Sequence, residues 1–504
     1  MRQVVVKKMA GVEKQQGENR SWWTTLIILS CLGLIVTFDE TMILPAIPDF
    51  IRDFNISYSA SSWLLSAYII AAAVMTPIGG RLSDIYGKKK ILLLVMAVYI
   101  IGVIAGRFAH NMEFMMVARA LQGVGMAMFP IAFGIIREVI PEKKFAIGQT
   151  IFSSTFSGGA IVGLVGGAAI IQSFGWQATF LAVLPVAIGL WLTIVKFVRV
   201  PAPAPHLGMD APPGPPDRSI DVKGVLALAA TIIAFLTGIT FLESGSDGAE
   251  FQAAGLFAAS AASLVVFIAV EKRVRMPLLD LKLMKSRTFL PPTVILMLVF
   301  MSIFMVYLTI PIMVRSPEPL GFGGDAVAVA SVQLPFMAVL LVGTVMSGFI
   351  VNKIKNTKLT LIGTIISAAG FFILLMFHST EAAVSIGLTI LAAGLSLAIT
   401  GAFNVILLSV PMQMTGIALG MTLLLNLVGM SVGPALSGAL QETYQGTVPG
   451  IEESFPTETA YNLIFLSAAA VSLASVAMAL IVARRKVAPT MTAGDPHGAG
   501  TGGH

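Results

Sequence analysis

Fourteen apolar runs, each about as long as a bilayer-crossing helix, partition this 504-residue chain. They fall at roughly 22–47, 61–80, 91–108, 112–136, 148–171, 178–198, 222–242, 252–270, 289–314, 325–350, 359–377, 382–409, 415–440 and 461–483. A helix crossing about 30 Å of hydrocarbon needs about 20 apolar residues. The runs are long and do not alternate, which excludes the short alternating strands of a lipid-facing barrel. Apolar residues make up 56 % of the chain, charged residues 12 %, and the mean hydropathy is +0.88. A water-soluble fold of that composition would expose far too much apolar surface. The expected fold class is an all-α membrane protein with 14 transmembrane helices.

Orientation follows from the basic residues, which favour the cytoplasmic side of a membrane. With the N-terminus inside and the spans alternating, 28 of the 32 Lys and Arg residues fall in cytoplasmic segments. Arg52, Arg107 and Arg315 fall outside, and Arg119 lies within a span. Asp247, Glu250, Glu442, Glu452, Glu453 and Glu458 also fall outside. Both termini are thus expected in the cytoplasm of a multi-pass cell-membrane protein. The polar N-terminal stretch runs straight into a full-length span and does not read as a cleaved signal.

Several classes are set aside by what the chain lacks. The single cysteine, Cys31, forms no internal disulfide or thiolate metal cluster. The formal charge of +6 is too small for this length to indicate nucleic-acid binding. No phosphate-cradling G-x-x-x-x-G-K-[ST] loop occurs, so ATP is not the direct energy source. The five histidines (110, 206, 378, 497 and 504) lack metal-ligand spacing. Neither an enzyme nor a cofactor is expected.

Two motifs recur at nearly equal offsets. GRLSDIYGKKK begins at Gly80 and a weaker echo, GFIVNKIKNTK, at Gly348. Gly159-x-x-x-Gly163 in the fifth run is echoed by Gly429-x-x-x-Gly433-Pro434 in the thirteenth. The offsets, 268 and 270, imply two homologous six-helix halves separated by an extra helix pair. Small residues four apart are also common wherever membrane helices pack closely. The repeat gives a domain plan: tail 1–21, first bundle 22–198, Pro-rich linker 199–221, inserted pair 222–270, loop 271–288, second bundle 289–483 and tail 484–504. Repeat-built transporters hold substrate near the midplane between their halves and expose it alternately.

Four motifs carry a family resemblance. Gly80-Arg81-Leu82-Ser83-Asp84-Ile85-Tyr86-Gly87-Lys88-Lys89-Lys90 is similar to the signature loop between spans two and three of the major facilitator superfamily. Arg119-x-x-Gln122-Gly123-x-Gly125 resembles its span-four motif. Asp39-Glu40-Thr41-Met42-Ile43-Leu44-Pro45-Ala46-Ile47-Pro48 resembles the span-one motif of the fourteen-span drug:proton antiporters, with Leu44 where Asn is usual. Glu271-Lys272-x-x-x-Met276-Pro277-Leu278-Leu279-Asp280-Leu281 resembles the junction after that group's inserted helices. The resemblance implies two six-helix bundles plus an inserted pair, and a proton-driven multidrug exporter. One departure stands out. Span five of the family usually has Gly-Pro then Gly-Gly, whereas this chain has Gly163-Leu164 and Gly167-Ala168. The resemblance associates that proline with export.

Asp39 and Glu40 lie within the first run, where a carboxylate costs roughly 2.5–3.5 kcal/mol at the bilayer centre. Such residues are functional, or paired, or they reach toward the headgroups. Burial disfavours the charged form of a carboxyl group, which suits a proton carrier. The family alignment favours Asp39, with Glu40 in reserve. Arg119, Gln122, Gly123 and Met126 share one helical stripe, fitting either a coupling arginine or an Arg that ties helices together. Counting from the span ends at about 1.5 Å per residue, Asp39 lies roughly 12 Å and Arg119 roughly 10 Å deep. In the 80–90 loop, Gly80, Asp84, Gly87, Lys88 and Lys89 form the expected gate. There the resemblance implies that Asp84 latches the cytoplasmic side against a helix start near 411–416, and the lysines also read as a topology signal. The expected packing motif is Gly159, Gly163, Gly167, Gly429, Gly433 and Pro434. The expected substrate cavity contains Met42, Gln122, Met126, Asn404 and Asn426, the two Asn reading equally as interhelical ties. The chain thus reads as a proton-coupled efflux transporter of amphipathic or lipophilic drug-like compounds, its partners being substrate, protons and lipid. A proton symporter or narrow-specificity metabolite exporter, and a non-transporting membrane sensor, are the alternatives.

Overall fold

The computed structural model describes residues 2–141, 144–198, 200, 222–243, 249–274, 281–350, 353–410 and 415–484. The side chains of 2–21, 84, 282 and 415–417, among others, lie outside the described set, as do most of the expected linker 199–221 and tail 484–504.

The first span is α1 (Arg2–Met42), broken by a 3-10 turn at Leu44–Ala46 and continued by α2 (Ile47–Phe54). Pro45 and Pro48 sit in the first turns of these two segments, where a missing N–H costs nothing. A short α3 (Tyr58–Ser61) leads into α4 (Trp63–Tyr86) and then α5 (Lys88–Arg107). The turn between them is Gly87 alone, at φ +97°, a conformation that favours glycine. The fourth span is α6 (Met112–Gly123), a 3-10 turn and α7 (Met128–Val139); α8 (Phe145–Phe174) and α9 (Gln177–Phe197) complete the first half.

The inserted pair is α10 (Val222–Glu243) and α11 (Ala249–Glu271). After the short α12 (Leu281–Met284), the second half comprises α13 (Leu290–Arg315), α14 (Ala326–Ile350), α15 (Asn356–Met376), α16 (Glu381–Leu408), α17 (Thr415–Thr443) and α18 (Glu458–Arg484). Thirteen spans are long and apolar enough to cross a bilayer among the described residues. The 22-residue α10, apolar over Lys223–Ile239, makes fourteen. Helices suit this setting because each satisfies its own backbone polar groups where water is absent. The acidic segment between α17 and α18 holds a feature the apolar runs did not signal. There β1 (Gln445–Thr447) pairs antiparallel with β2 (Ser454–Pro456), Gly446 opposite Phe455.

The echoed glycines occupy equivalent contacts in the two halves. Along α8, a Cβ at Gly159 would meet Leu34 O at 2.5 Å, and one at Gly163 would meet Phe38 O at 2.5 Å, both on α1. Gly167 closes in the same way on Met42. Along α17, Gly429 and Gly433 close on Met297 and Met301 of α13. In each half the fifth helix therefore meets the first through glycine, with backbones in contact. Thr41 exploits the approach, its hydroxyl donating to Ala160 O at 3.0 Å.

The halves meet along two seams, α4 against α17 and α8 against α14. The inserted pair packs on the first seam: Leu228, Ile232 and Leu236 of α10 share a cluster with Ile70 of α4 and Met421 and Leu424 of α17.

A methyl group at Gly163 would force α1 and α8 apart, so Gly163→Ala should cost about 1–3 kcal/mol. Gly189 on α9 has nothing within 4 Å of its added Cβ, so Gly189→Ala is the control. Thermal unfolding in detergent should show Tm lowered by roughly 2–6 °C for the first variant only.

Candidate functional site: a buried ion pair between spans one and four

Arg119 is fully buried, and its position is dictated by two glycines. Gly123, one turn on, lets α6 lie directly against the Tyr68 carbonyl of α4; Gly102 of α5 admits the backbone at Gln122, where a Cβ would be 2.7 Å from the amide nitrogen. Pressed between these helices, Arg119 donates from Nε to Leu64 O at 3.0 Å and from Nη1 to Gln122 Oε1 at 2.7 Å. Its guanidinium lies 4.5 Å from the Tyr68 ring centroid, a favourable cation–π placement. Gln122 is held in turn, its Nε2 donating to Gly102 O at 3.1 Å.

Asp39, also fully buried, brings Oδ2 to 3.6 Å from Arg119 Nη1. That is ion-pair distance but longer than a hydrogen bond. Neither Asp39 oxygen has a hydrogen-bond partner, and Arg119 Nη2 has none either. Tyr68 and Tyr99 complete the enclosure, their hydroxyls buried and also without partners. An arginine fixed by three contacts thus faces an acid fixed by none. A buried pair is costly when its remaining lone pairs go unbonded, so this acid is free to take up a proton or to move. Glu40 is half-buried, and as the next residue along the helix it points to a different side of α1.

A second polar cluster closes the face opposite the N-terminus of α1, the far face. Arg315 at the end of α13 makes a two-pronged contact with Asp49 of α2, Nη1–Oδ2 at 2.6 Å and Nη2–Oδ1 at 2.7 Å. It also donates to Pro45 O at 3.1 Å. Nearby, the Tyr58 backbone N–H donates to Glu442 Oε2 at 2.8 Å, and its hydroxyl to Ser454 O at 3.0 Å. Deeper along the same seam, Ser66 donates to Ser431 O at 3.2 Å. These contacts join one half to the other.

The other expected site residues are distributed as follows. Gln122 is not a free cavity donor, because both ends of its amide are engaged within the first half. Met42 is buried against Gly167, and Met126 is buried in the 3-10 turn of span four. Asn404 donates to Thr400 O at 2.8 Å on its own helix. Asn426 is buried, its Oδ1 unpartnered. In the 80–90 loop, Lys88 pairs with Glu138 and Lys89 donates to Val195 O at 2.8 Å. Gly80 is loosely surrounded, with Pro130 Cβ 3.9 Å from its added Cβ. The Asp84 side chain and residues 411–414 lie outside the described residues. Leu164 is fully buried, and Pro434 lies within α17. Among the described residues no cluster of His, Cys, Asp and Glu has metal-binding geometry.

The sequence profile of the Major Facilitator Superfamily matches residues 29–434. The chain belongs to the major facilitator superfamily. Among curated members it is 26 % identical to the multidrug efflux pump LfrA of Mycolicibacterium smegmatis, across 83 % of this chain and 80 % of that one. It is 25 % identical to the tetracenomycin C resistance and export protein of Streptomyces glaucescens, across 84 % and 77 %. With multidrug resistance protein 3 of Bacillus subtilis it shares 25 % identity over 70 % of this chain and 66 % of that protein's length. A bacterial homolog of the human lysosomal transporter Spinster superimposes with a TM-score of 0.63 at 15 % identity, covering 93 % of this chain and 98 % of that one. An auto-inhibited POT family peptide transporter gives 0.60 at 14 %, covering 93 % and 98 %. This superfamily member is accordingly a multi-pass membrane transporter of the alternating-access type.

Removing the Arg315 guanidinium leaves Asp49 largely buried and without its main partner, a change worth about 1–3 kcal/mol here given partial exposure. Arg315→Ala should shift the resting population toward opening of the far face by about tenfold or more. Spin labels at positions 110 and 379, one on each half, would report a lengthened distance distribution. An unaltered distribution would mean the contact contributes nothing to closure.

Proposed function

We propose that this transporter exports amphipathic or lipophilic compounds in exchange for protons, with Asp39 as the proton-carrying group and Arg119 as its electrostatic partner. The observation that carries the reading is the ion pair at 3.6 Å whose acid has no hydrogen bond on either oxygen. An acid with a structural task only would be expected to have its lone pairs satisfied. Here the arginine is rigid and the acid is free, so protonation releases the acid from the cation without dismantling the arginine's own bonds. Alternating access then follows from rocking of the halves about the seams, with the Arg315–Asp49 contact closing the far face when the other face is open. The names of the similar proteins, multidrug efflux pump and resistance and export protein, support outward transport of drug-like molecules. Both termini and the basic loops are assigned to the cytoplasm from the charge distribution.

Leu164 favours a second reading, proton symport or narrow-specificity export, because it replaces the proline that resemblance links to exporters. Counterflow of labelled compound in liposomes separates either carrier from a non-transporting sensor, which would show none.

Two outcomes follow. Asp39→Asn should abolish compound accumulation driven by a pH gradient while leaving equilibrium binding within about threefold, and Arg119→Lys should impair transport less than Arg119→Ala because it keeps the charge. Proteoliposomes with an imposed gradient read both; accumulation by Asp39→Asn would transfer the role to Glu40. For orientation, a cysteine at position 282 in a Cys31→Ala background should react with an impermeant maleimide only from inside. Labelling from outside would overturn the fourteen-span topology.

A further inference from the structure

Across the interface from Glu40, the second half holds a polar group that the proton-coupling reading does not use. Gln333 lies on α14, an otherwise apolar 25-residue helix, and is 4 % exposed. Its Oε1 is buried and has no hydrogen-bond partner. A buried amide oxygen left unbonded costs about 1–3 kcal/mol, so it is retained at a standing penalty. The side chain borders a small space between α13, α14 and α16, whose other walls include Ile303, Tyr307, Phe336 and Leu388. That space is about 10 Å³, room for one group the size of a water molecule.

Tyr307 connects this space to the interface. It is half-buried and stacks on Phe304 with ring centroids 5.0 Å apart, and its helix α13 packs against the first-half segments that follow Glu40, the 3-10 turn Leu44–Ala46 and α2. Its hydroxyl points to Met337 Sδ at 3.6 Å, and a thioether is a weak acceptor. Two polar groups with spare hydrogen-bonding capacity therefore flank one small opening in an aromatic wall. Depth agrees as well. Gln333 lies seven residues from the start of α14 and Tyr307 eight from the end of α13. At 1.5 Å per residue both are about 10–12 Å from the far face, the level of Arg119.

We propose that Gln333 is a specificity-determining residue whose amide receives a terminal amino or hydroxyl group of the transported compound. The remainder of the molecule lies against Tyr307 on the Glu40 side of the interface. The subsite selects for a hydrogen-bonding tip rather than for charge or bulk. A primary amine fits a space of this size, and a dimethylamino group does not. Losing the hydrogen bond leaves the buried amide unpaired, which is how a polar site rejects an analogue lacking the group. This inference rests on the multidrug-transport reading.

Proflavine and acridine orange test it, since they share a ring system and carry primary amino and dimethylamino groups respectively. Equilibrium binding to purified protein, without a proton gradient, should favour proflavine. Gln333→Met keeps the volume and removes the amide; it should weaken proflavine about tenfold and leave acridine orange within about twofold. Gln333→Glu, which keeps an acceptor, should retain proflavine binding. Because Gln333→Met removes an unsatisfied buried group, its Tm in detergent should equal or exceed that of the parent. Equal loss for both dyes, or a Tm lowered by several degrees, assigns Gln333 to packing and overturns the proposal. Unchanged binding of both dyes in Gln333→Met overturns the subsite alone. If the parent protein binds neither dye, the multidrug reading fails and the subsite fails with it.

Discussion

The approach of α6 to α4 at Gly123 is the contact on which the polar centre depends. A side chain there would run into the Tyr68 carbonyl, and the helices would separate. With separation, Arg119 would lose the Leu64 carbonyl and the Tyr68 ring together. A guanidinium deprived of those partners in a hydrocarbon setting costs several kcal/mol, so helix packing and charge placement are one problem. Gly102 solves the same problem on the α5 side, seating the Gln122 amide that braces the arginine. The first half can therefore carry a buried cation at a defined point because three helices reach backbone contact around it.

That construction leaves the two members of the ion pair unequal. Arg119 belongs to a bonded framework of α4, α5 and α6, while Asp39 rides on α1, which is secured elsewhere by the Thr37 and Thr41 hydroxyls and by Gly159, Gly163 and Gly167 of α8. Motion of α1 and α8 against α4 and α6 changes the Asp39–Arg119 distance without altering the arginine's own hydrogen bonds. Coulomb energy in a poorly screened interior varies steeply with such distances. A small displacement of these helices therefore changes the energy of the pair.

The spans were legible because bilayer thickness imposes a length and a composition, and the motif echoes foretold that two similar halves would pack alike. Asp39 and Arg119 stood out because ionised groups inside apolar runs are rare, and counting residues from the span ends put them at one depth. Other features were hidden for definite reasons. Arg315 was visible as one of few basic residues on the acidic side, but its partner Asp49 is 266 positions away and only the docking of the halves joins them. Gln333 resembles any lone amide in a helix until its surroundings show that its carbonyl oxygen has no partner. Gln122 was expected to face substrate because helical spacing aligned it with Arg119. Spacing describes one helix and could not reveal the Gly102 carbonyl on the next.

The inserted pair changes how the carrier meets the lipid around it. A two-bundle transporter has two lateral clefts, and through either one a lipid-dissolved molecule could slip sideways into the centre. Here α10 lies over the seam between α4 and α17 with α11 packed on α10, and among the described residues neither makes extensive contact with α8 or α14. The two seams therefore present unlike outlines to the lipid: one is faced by an added double layer of helix, and the carrier is lopsided in the plane of the membrane.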